Sequence, residues 1–337
     1  MTVLIPFYNP GKYLLDALDS ILNQTYNDWK IVLVDDASTD NTSSMIKHYL
    51  KNSKIELIQN PVNIGQSKSL NKGLELVDTP YVIQLDSDDW FYPHTLEILI
   101  MESQNQPEDV AVIGNVTVHF ENSQGKSIVY RGRSFHDQYD FLLANISLWP
   151  RFFRTSALIN IGGWPTDDPY EGRFLGDKRI LLRLIEKYRF HWVDKMIYNH
   201  RIHDRNLSNN IAIHAEMTEW VIQEALNRWG NQYKPVFTTY GLGWKKLERL
   251  IPINYNAGVK TRSIKENKID FSTSEKIQEE KNQQLITNKY NKYTNINEYT
   301  SSHVIPETGS GSGPNTGPGT APGTGPGTGP GTMPLKE

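Results

Sequence analysis

Residues 85–90 read LDSDDW and stand directly behind YVIQ, residues 81–84. The apolar run has the pattern of a buried strand, and three carboxylates, Asp86, Asp88 and Asp89, crowd the point where it leaves the core. Like charges this close repel, so the cluster points to a waiting cation or to charge that develops during a reaction. A turn is the plainer alternative, because Asp is a good cap and Pro93 suits the first turn of a following helix.

Towards the N-terminus the same arrangement recurs. Val3-Leu4-Ile5, Lys30 to Val34 and Ile55 to Ile58 read as further short strands, and apolar residues at helical spacing mark helices over Tyr13 to Leu22, Met45 to Leu50 and Ser67 to Leu76. Four alternations of strand and helix predict an α/β fold, with a mostly parallel central sheet flanked by helices and ligands gathered at the carboxyl ends of the strands. Pro6-Phe7-Tyr8-Asn9, Asp35-Asp36 and the acidic cluster all fall at such ends. PFYNP is neither a G-x-G-x-x-G nor a Walker loop, so a nucleotide diphosphate here would need Mn²⁺ or Mg²⁺ held by Asp86 to Asp89.

Composition sets the outer limits. The 337 residues are 38% hydrophobic, enough for a sizeable core, and a net charge of −3 offers no basic field for nucleic acid. There is no cysteine, hence no disulfide or thiolate metal site. MTVLIPFYNP lacks the basic start of a signal peptide and no run approaches a membrane span, so the expectation is a cytoplasmic protein. Residues 1–230 pattern as one folded domain; 231–305 are polar and suggest a helical or partly disordered extension; 306–337 form a Gly/Pro/Thr-rich tail repeating TGPG, expected to be disordered. Lys245, Lys246 and Arg249 near Trp244 and Leu247 hint at a peripheral membrane or surface association, with a solvated helix as the plain alternative.

Asp177 is singled out by periodicity. It shares a helical face with Leu181, Leu184 and Tyr188, which puts a carboxylate on an apolar face at the helix start. A general base at a cleft wall and a simple N-cap both fit.

The motifs together resemble the family 2 glycosyltransferases of the GT-A fold: VLIPFYNPGKYLLDALDSILNQTYNDWKIVLVDDASTDNT, then NIGQSKSLNKGL, YVIQLDSDDWFYP, FFRTSALINIGGW and FLGDKRILLRL, in family order across residues 1 to about 215. The resemblance implies inverting transfer of a sugar from a UDP or dTDP donor to a hydroxyl of a glycan or other acceptor. By motif match, Pro6, Tyr8 and Asn9 would border the base and Asp36 would accept its N–H, with Ser38 beside it; Asn63, Gly65 and Lys68 would lie by the donor, Lys68 towards the phosphates. Asp86 would lie near the ribose, with Ser87 in the same element; Asp88 would be the chief metal contact and Asp89 its neighbour; Asp177 matches the catalytic base. Arg201, His203 and Ser208 match a basic R-x-H element whose His would approach the metal or diphosphate. Trp149, Arg151 and Trp164 would line the acceptor side, although core positions suit them equally. Turns, caps and a solvated helix face remain local alternatives for PFYNP, Asp36 and Lys68. A nucleotidyltransferase and an inactive glycosyltransferase-like scaffold are the rival readings; the first should carry a Gly-rich basic loop that PFYNP is not.

Overall fold

The structure is a computed structural model and describes residues 1–106, 109–121, 126–254 and 260–263. The chain opens with β1 (Thr2–Phe7), α1 (Tyr13–Leu22), β2 (Lys30–Asp35), α2 (Thr42–Met45), β3 (Ile55–Gln59), α3 (Gln66–Leu74) and β4 (Tyr81–Gln84). β5 (Trp90–Phe91), α4 (Thr95–Asn105), β6 (Asp109–Phe120), β7 (Ser127–Tyr130), α5 (Gln138–Ala144) and β8 (Arg151–Arg154) follow. Then come α6 (Thr155–Asn160), α7 (Gly176–Leu184), β9 (Arg189–Ile202), α8 (Ile211–Arg228), β10 (Tyr233–Tyr240), β11 (Trp244–Pro252) and β12 (Arg262–Ser263).

The central sheet runs β3-β2-β1-β4-β8-β6-β9-β5, with β7 beside β6. β3, β2, β1 and β4 are parallel to one another, as the four alternations predict. Val3, Leu4, Ile5, Leu33, Val34, Val82 and Ile83 are fully buried, because helices cover both faces of a parallel sheet and its strands therefore read as continuous apolar runs. α3 lies close on β1: a Cβ on Gly73 would stand 2.2 Å from Leu4 Cδ1. β8 then inserts antiparallel between β4 and β6, joining the parallel half to the pair β6 and β9.

Two expectations change. The helix over Met45 to Leu50 is instead the single turn of α2 and a 3₁₀ turn at Tyr49–Lys51. The break at residue 230 and the helical extension beyond it also give way. Residues 233–252 form an antiparallel hairpin belonging to the same compact unit, with Leu247 and Leu250 fully buried in its core. Asn145 ends α5 in a left-handed conformation and clasps the hairpin by its amide: Nδ2 donates to Leu247 O at 2.8 Å and Oδ1 accepts from Leu247 N at 2.9 Å. The rest of the extension and the TGPG tail lie outside the described residues. Among those residues, no helix is long and apolar enough to cross a membrane.

Candidate active site

A cavity of about 1540 Å³ opens at the carboxyl ends of β1, β2 and β4. Its floor carries Pro6, Tyr8, Asn9, Asp36, Asn63, Gly65, Asp86, Ser87 and Asp88, so three strand ends do converge. Tyr8 is 51% exposed there, a ring left free to stack. Asn9, at φ 52°, locks its loop to the next: its Oδ1 accepts from Thr39 N at 2.7 Å and Asp40 N at 3.0 Å, and its own N–H donates to Ser38 Oγ at 3.0 Å. Ser38 thus supports the rim instead of lining it. Asp36 caps no local helix. Its oxygens accept from Ile64 N and Gly65 N, both at 2.8 Å, and from Asn60 Nδ2 at 2.9 Å, pinning the 63–65 loop to the cavity floor. Gly65 has φ 91°, and a Cβ there would stand 2.8 Å from Arg173 Cγ.

The acidic cluster splits into three environments. Asp86 accepts from Arg151 Nη1 at 2.7 Å, Gln84 Nε2 at 2.9 Å and Gln66 Nε2 at 3.3 Å. Burial pushes its pKa up, but the Arg151 guanidinium and the hydrogen bonds outweigh that and hold it below the usual carboxylate range. Asp88 faces the cavity and meets His203: its Oδ2 lies 2.9 Å from Nε2 and 3.2 Å from Asn206 Nδ2. Arg205 N donates to His203 Nδ1 at 3.1 Å, which leaves the ring proton on Nε2. Asp89 is turned inward and fully buried. It accepts from Tyr198 OH at 2.9 Å and Arg201 N at 2.8 Å and lies 3.1 Å from His200 Nδ1. Burial holds its pKa up, offset in part by His200. A metal role for Asp89 is therefore withdrawn: its carboxylate is turned to the core and taken up by Tyr198, His200 and Arg201 N–H.

Asp177 lies in the first turn of α7, yet Leu175 occupies the cap position and no side chain caps this helix. It faces the cavity instead, accepting from Arg151 Nη2 at 3.2 Å through Oδ2. Arg151, 5% exposed on β8, thus bridges Asp86 on the cavity floor and Asp177 on the opposite wall. It was expected simply to line the acceptor side. Trp149 lines the cavity, with Tyr130, Asn145 to Ser147 and the hairpin residues Thr238 to Tyr240 and Trp244. Trp164 is 1% exposed and packs edge-on against Phe153, so it belongs to the core. Lys68 pairs with Glu171 away from the cavity lining, and its expected phosphate contact is likewise withdrawn. Lys245 is paired with Glu219 at 3.0 Å and Arg249 with Glu248 at 2.8 Å, so these residues of the suggested membrane patch stand beside acidic partners.

Several site residues were not singled out in the sequence. Tyr13 stacks on His203 with centroids 4.9 Å apart, Asn206 holds Asp88, and Gln66 reaches Asp86. Lys178 lines the cavity beside Asp177. Only Lys178 carried a visible signal, its place next to Asp177 in LGDKR.

The cleft lies at the carboxyl ends of the parallel strands, where the sheet switches to antiparallel, which is where open α/β sheets bind ligands. The fold matches S. aureus TarS 1-349, solved in complex with UDP-GlcNAc, at a TM-score of 0.54 and 20% identity over 67% of this chain and 65% of that one. It also matches the mannosyltransferase PcManGT of Pyrobaculum calidifontis, solved with GDP-Man and Mn²⁺, at a TM-score of 0.50 and 20% identity over 69% of this chain and 64% of that one. The profile of Glycosyl transferase family 2 covers residues 2–185, and the chain belongs to that family. It is 28% identical over 247 residues to hyaluronan synthase of Pasteurella multocida, 69% of this chain but 24% of that protein. It is 28% identical over 249 residues to chondroitin synthase of Escherichia coli, 69% of this chain and 34% of that protein. The chain thus spans about a quarter to a third of these relatives.

Proposed function

We propose that the chain transfers a sugar from a UDP- or dTDP-sugar to a hydroxyl of a glycan or other acceptor by single displacement with inversion. One observation carries the reading: Asp177 opens a helix, caps nothing, and faces the same cavity as Asp86 and Asp88 while tied to Asp86 through Arg151. Among the described residues nothing donates to Asp177 Oδ1, so one oxygen is open to a substrate proton. Asp177 takes the proton of the acceptor hydroxyl as that oxygen bonds to the anomeric carbon; the bond from that carbon to the diphosphate oxygen breaks, and the nucleotide diphosphate leaves with the electron pair. No enzyme nucleophile is needed, so the configuration inverts.

Asp88 and His203 are a carboxylate and an imidazole at 2.9 Å, a pair that suits Mn²⁺ better than Mg²⁺. Among the described residues no third His, Asp or Glu joins them, so water and diphosphate oxygens would have to complete the shell. To ligate through Nε2, His203 would carry its ring proton on Nδ1 in place of the bond from Arg205 N. When bound, the ion offsets the charge of the leaving diphosphate. The hyaluronan and chondroitin synthase relatives, together with poly-β-1,6-N-acetyl-D-glucosamine synthase, support a role in polysaccharide assembly. Calorimetry with UDP and dTDP, in Mn²⁺ and in EDTA, followed by nucleotide release from a panel of UDP- and dTDP-sugars, tests the reading. Absence of both binding and release across the panel would overturn it.

A further inference from the structure

The cations that line the cavity are satisfied within the protein, with one exception. Arg151 is held by two carboxylates, Lys245 pairs with Glu219, Arg173 donates to Asn63 Oδ1 at 2.6 Å, and Arg205 lies over the Tyr13 ring at 5.5 Å. Lys178 lines the same cavity, and its ammonium makes no hydrogen bond or ion pair with any described residue. Burial pulls its pKa down to about 8, with the nearby Asp177 charge opposing the shift. A half-buried ammonium without a partner is well placed to take a counter-charge from a ligand.

The position of Lys178 indicates which ligand. It follows Asp177 in the first turn of α7, lines the same cavity and feels the Asp177 charge, which sets its ammonium on the side of the base. The diphosphate belongs at the other side, by Asp88, His203 and Arg205. Trp149 lines the same cavity, its ring tilted on His200 at 5.2 Å and edge-on to Tyr130 at 6.2 Å. An aromatic ring and an ammonium lining the cavity of one carboxylate base suit a sugar ring or polyol that carries an acid.

We propose that Lys178 is a specificity residue that binds an anionic group of the acceptor, a carboxylate or a phosphate next to the hydroxyl that receives the sugar. The proposal rests on Asp177 as the base. A neutral acceptor would close the cavity over an unpaired ammonium, and a charge-assisted hydrogen bond of this kind is worth on the order of 10- to 100-fold in affinity.

The test uses the full chain with Mn²⁺ and whichever UDP-sugar it hydrolyses, and two matched probe pairs. One pair is a glucuronoside and its carboxyl-reduced glucoside; the other is a glycerol phosphate oligomer and its dephosphorylated polyol. Binding to the UDP-loaded protein by calorimetry and transfer kinetics are both read. The expected result is that wild type prefers one acid over its neutral partner by about tenfold or more. Lys178→Met should erase that preference by raising KM for the acid, Lys178→Arg should restore most of it, and melting should match wild type. Which pair responds identifies the source of the acid. No preference in wild type, an equal loss on acid and neutral probes in Lys178→Met, or a weakened UDP Kd in place of a raised acceptor KM would each overturn the proposal. A protein that releases nucleotide yet ignores the acids condemns this inference alone; one that releases none condemns the parent reading.

Discussion

Asp88 and Asp89 are neighbours in sequence with opposite surroundings, and substitutions should separate them. Asp88→Ala removes a cavity-facing ligand, and UDP affinity measured in Mn²⁺ should fall on the order of 10- to 100-fold with the melting curve unchanged. Asp89→Ala leaves Tyr198 OH, His200 and Arg201 N–H unpaired in the interior, and denaturant titration should show a loss of about 2–4 kcal/mol. Asp177→Asn keeps shape but cannot take a proton. Transfer should drop on the order of 10²- to 10⁴-fold, while calorimetry finds UDP bound as before. Transfer near the wild-type rate would remove Asp177 as the base. The sequence made the acidic cluster legible as a feature but not its division, since the way each side chain turns depends on what the later strand β9 presents to it. For Trp164 and Lys68 the residue type suited a role that packing and a distant Glu171 assigned elsewhere.

At the level of elements, the four strands up to Leu85 were legible because β1, β2 and β4 are apolar runs, while the expected helix over Met45 to Leu50 shrank to two short turns. The hairpin was not. Trp244, Leu247 and Leu250 fall three residues apart, a spacing that imitates a helix, and only pairing with β10, irregular between Val236 and Phe237, makes them strand residues. The clasp at Asn145 gives a direct check. Asn145→Gly keeps the left-handed backbone but loses both bonds to Leu247, whereas Asn145→Ala also strains the backbone. The losses should be about 1–3 kcal/mol for Gly and about 1 kcal/mol more for Ala. At the start of the same helix, Asp140 bonds Arg133 through both oxygens, at 2.6 and 2.8 Å. Burial raises its pKa, but the Arg133 pair and the His136 N–H outweigh this and hold it below the ordinary value. A depressed acid stabilises the fold above its unfolded pKa, and that contribution fades as pH falls through the folded one. Asp140→Asn should therefore cost about 1 kcal/mol near neutrality, and the gap from wild type should close below about pH 4.

For the molecule as a whole, the hairpin and the tail should behave differently when removed. A chain ending at residue 230 loses Leu247 and Leu250 from its core, each worth about 2–5 kcal/mol, and should lose its cooperative melting transition. A chain ending at Glu307 should melt within a degree or two of full length, because a Gly/Pro/Thr repeat has little apolar surface to bury. The seam of the sheet has a consequence for recombination. Arg151 rides on β8, which is zipped to β4, so the guanidinium that ties the two carboxylates is inherited with the parallel half of the sheet. Besides Tyr130 and Trp149, the facing wall of the cavity draws on two cassettes elsewhere in the chain, residues 138–148 and 233–252, which meet at the Asn145–Leu247 clasp. Swapping both cassettes together from a relative would redraw much of that wall without cutting through the tie, whereas swapping either alone would separate the clasp.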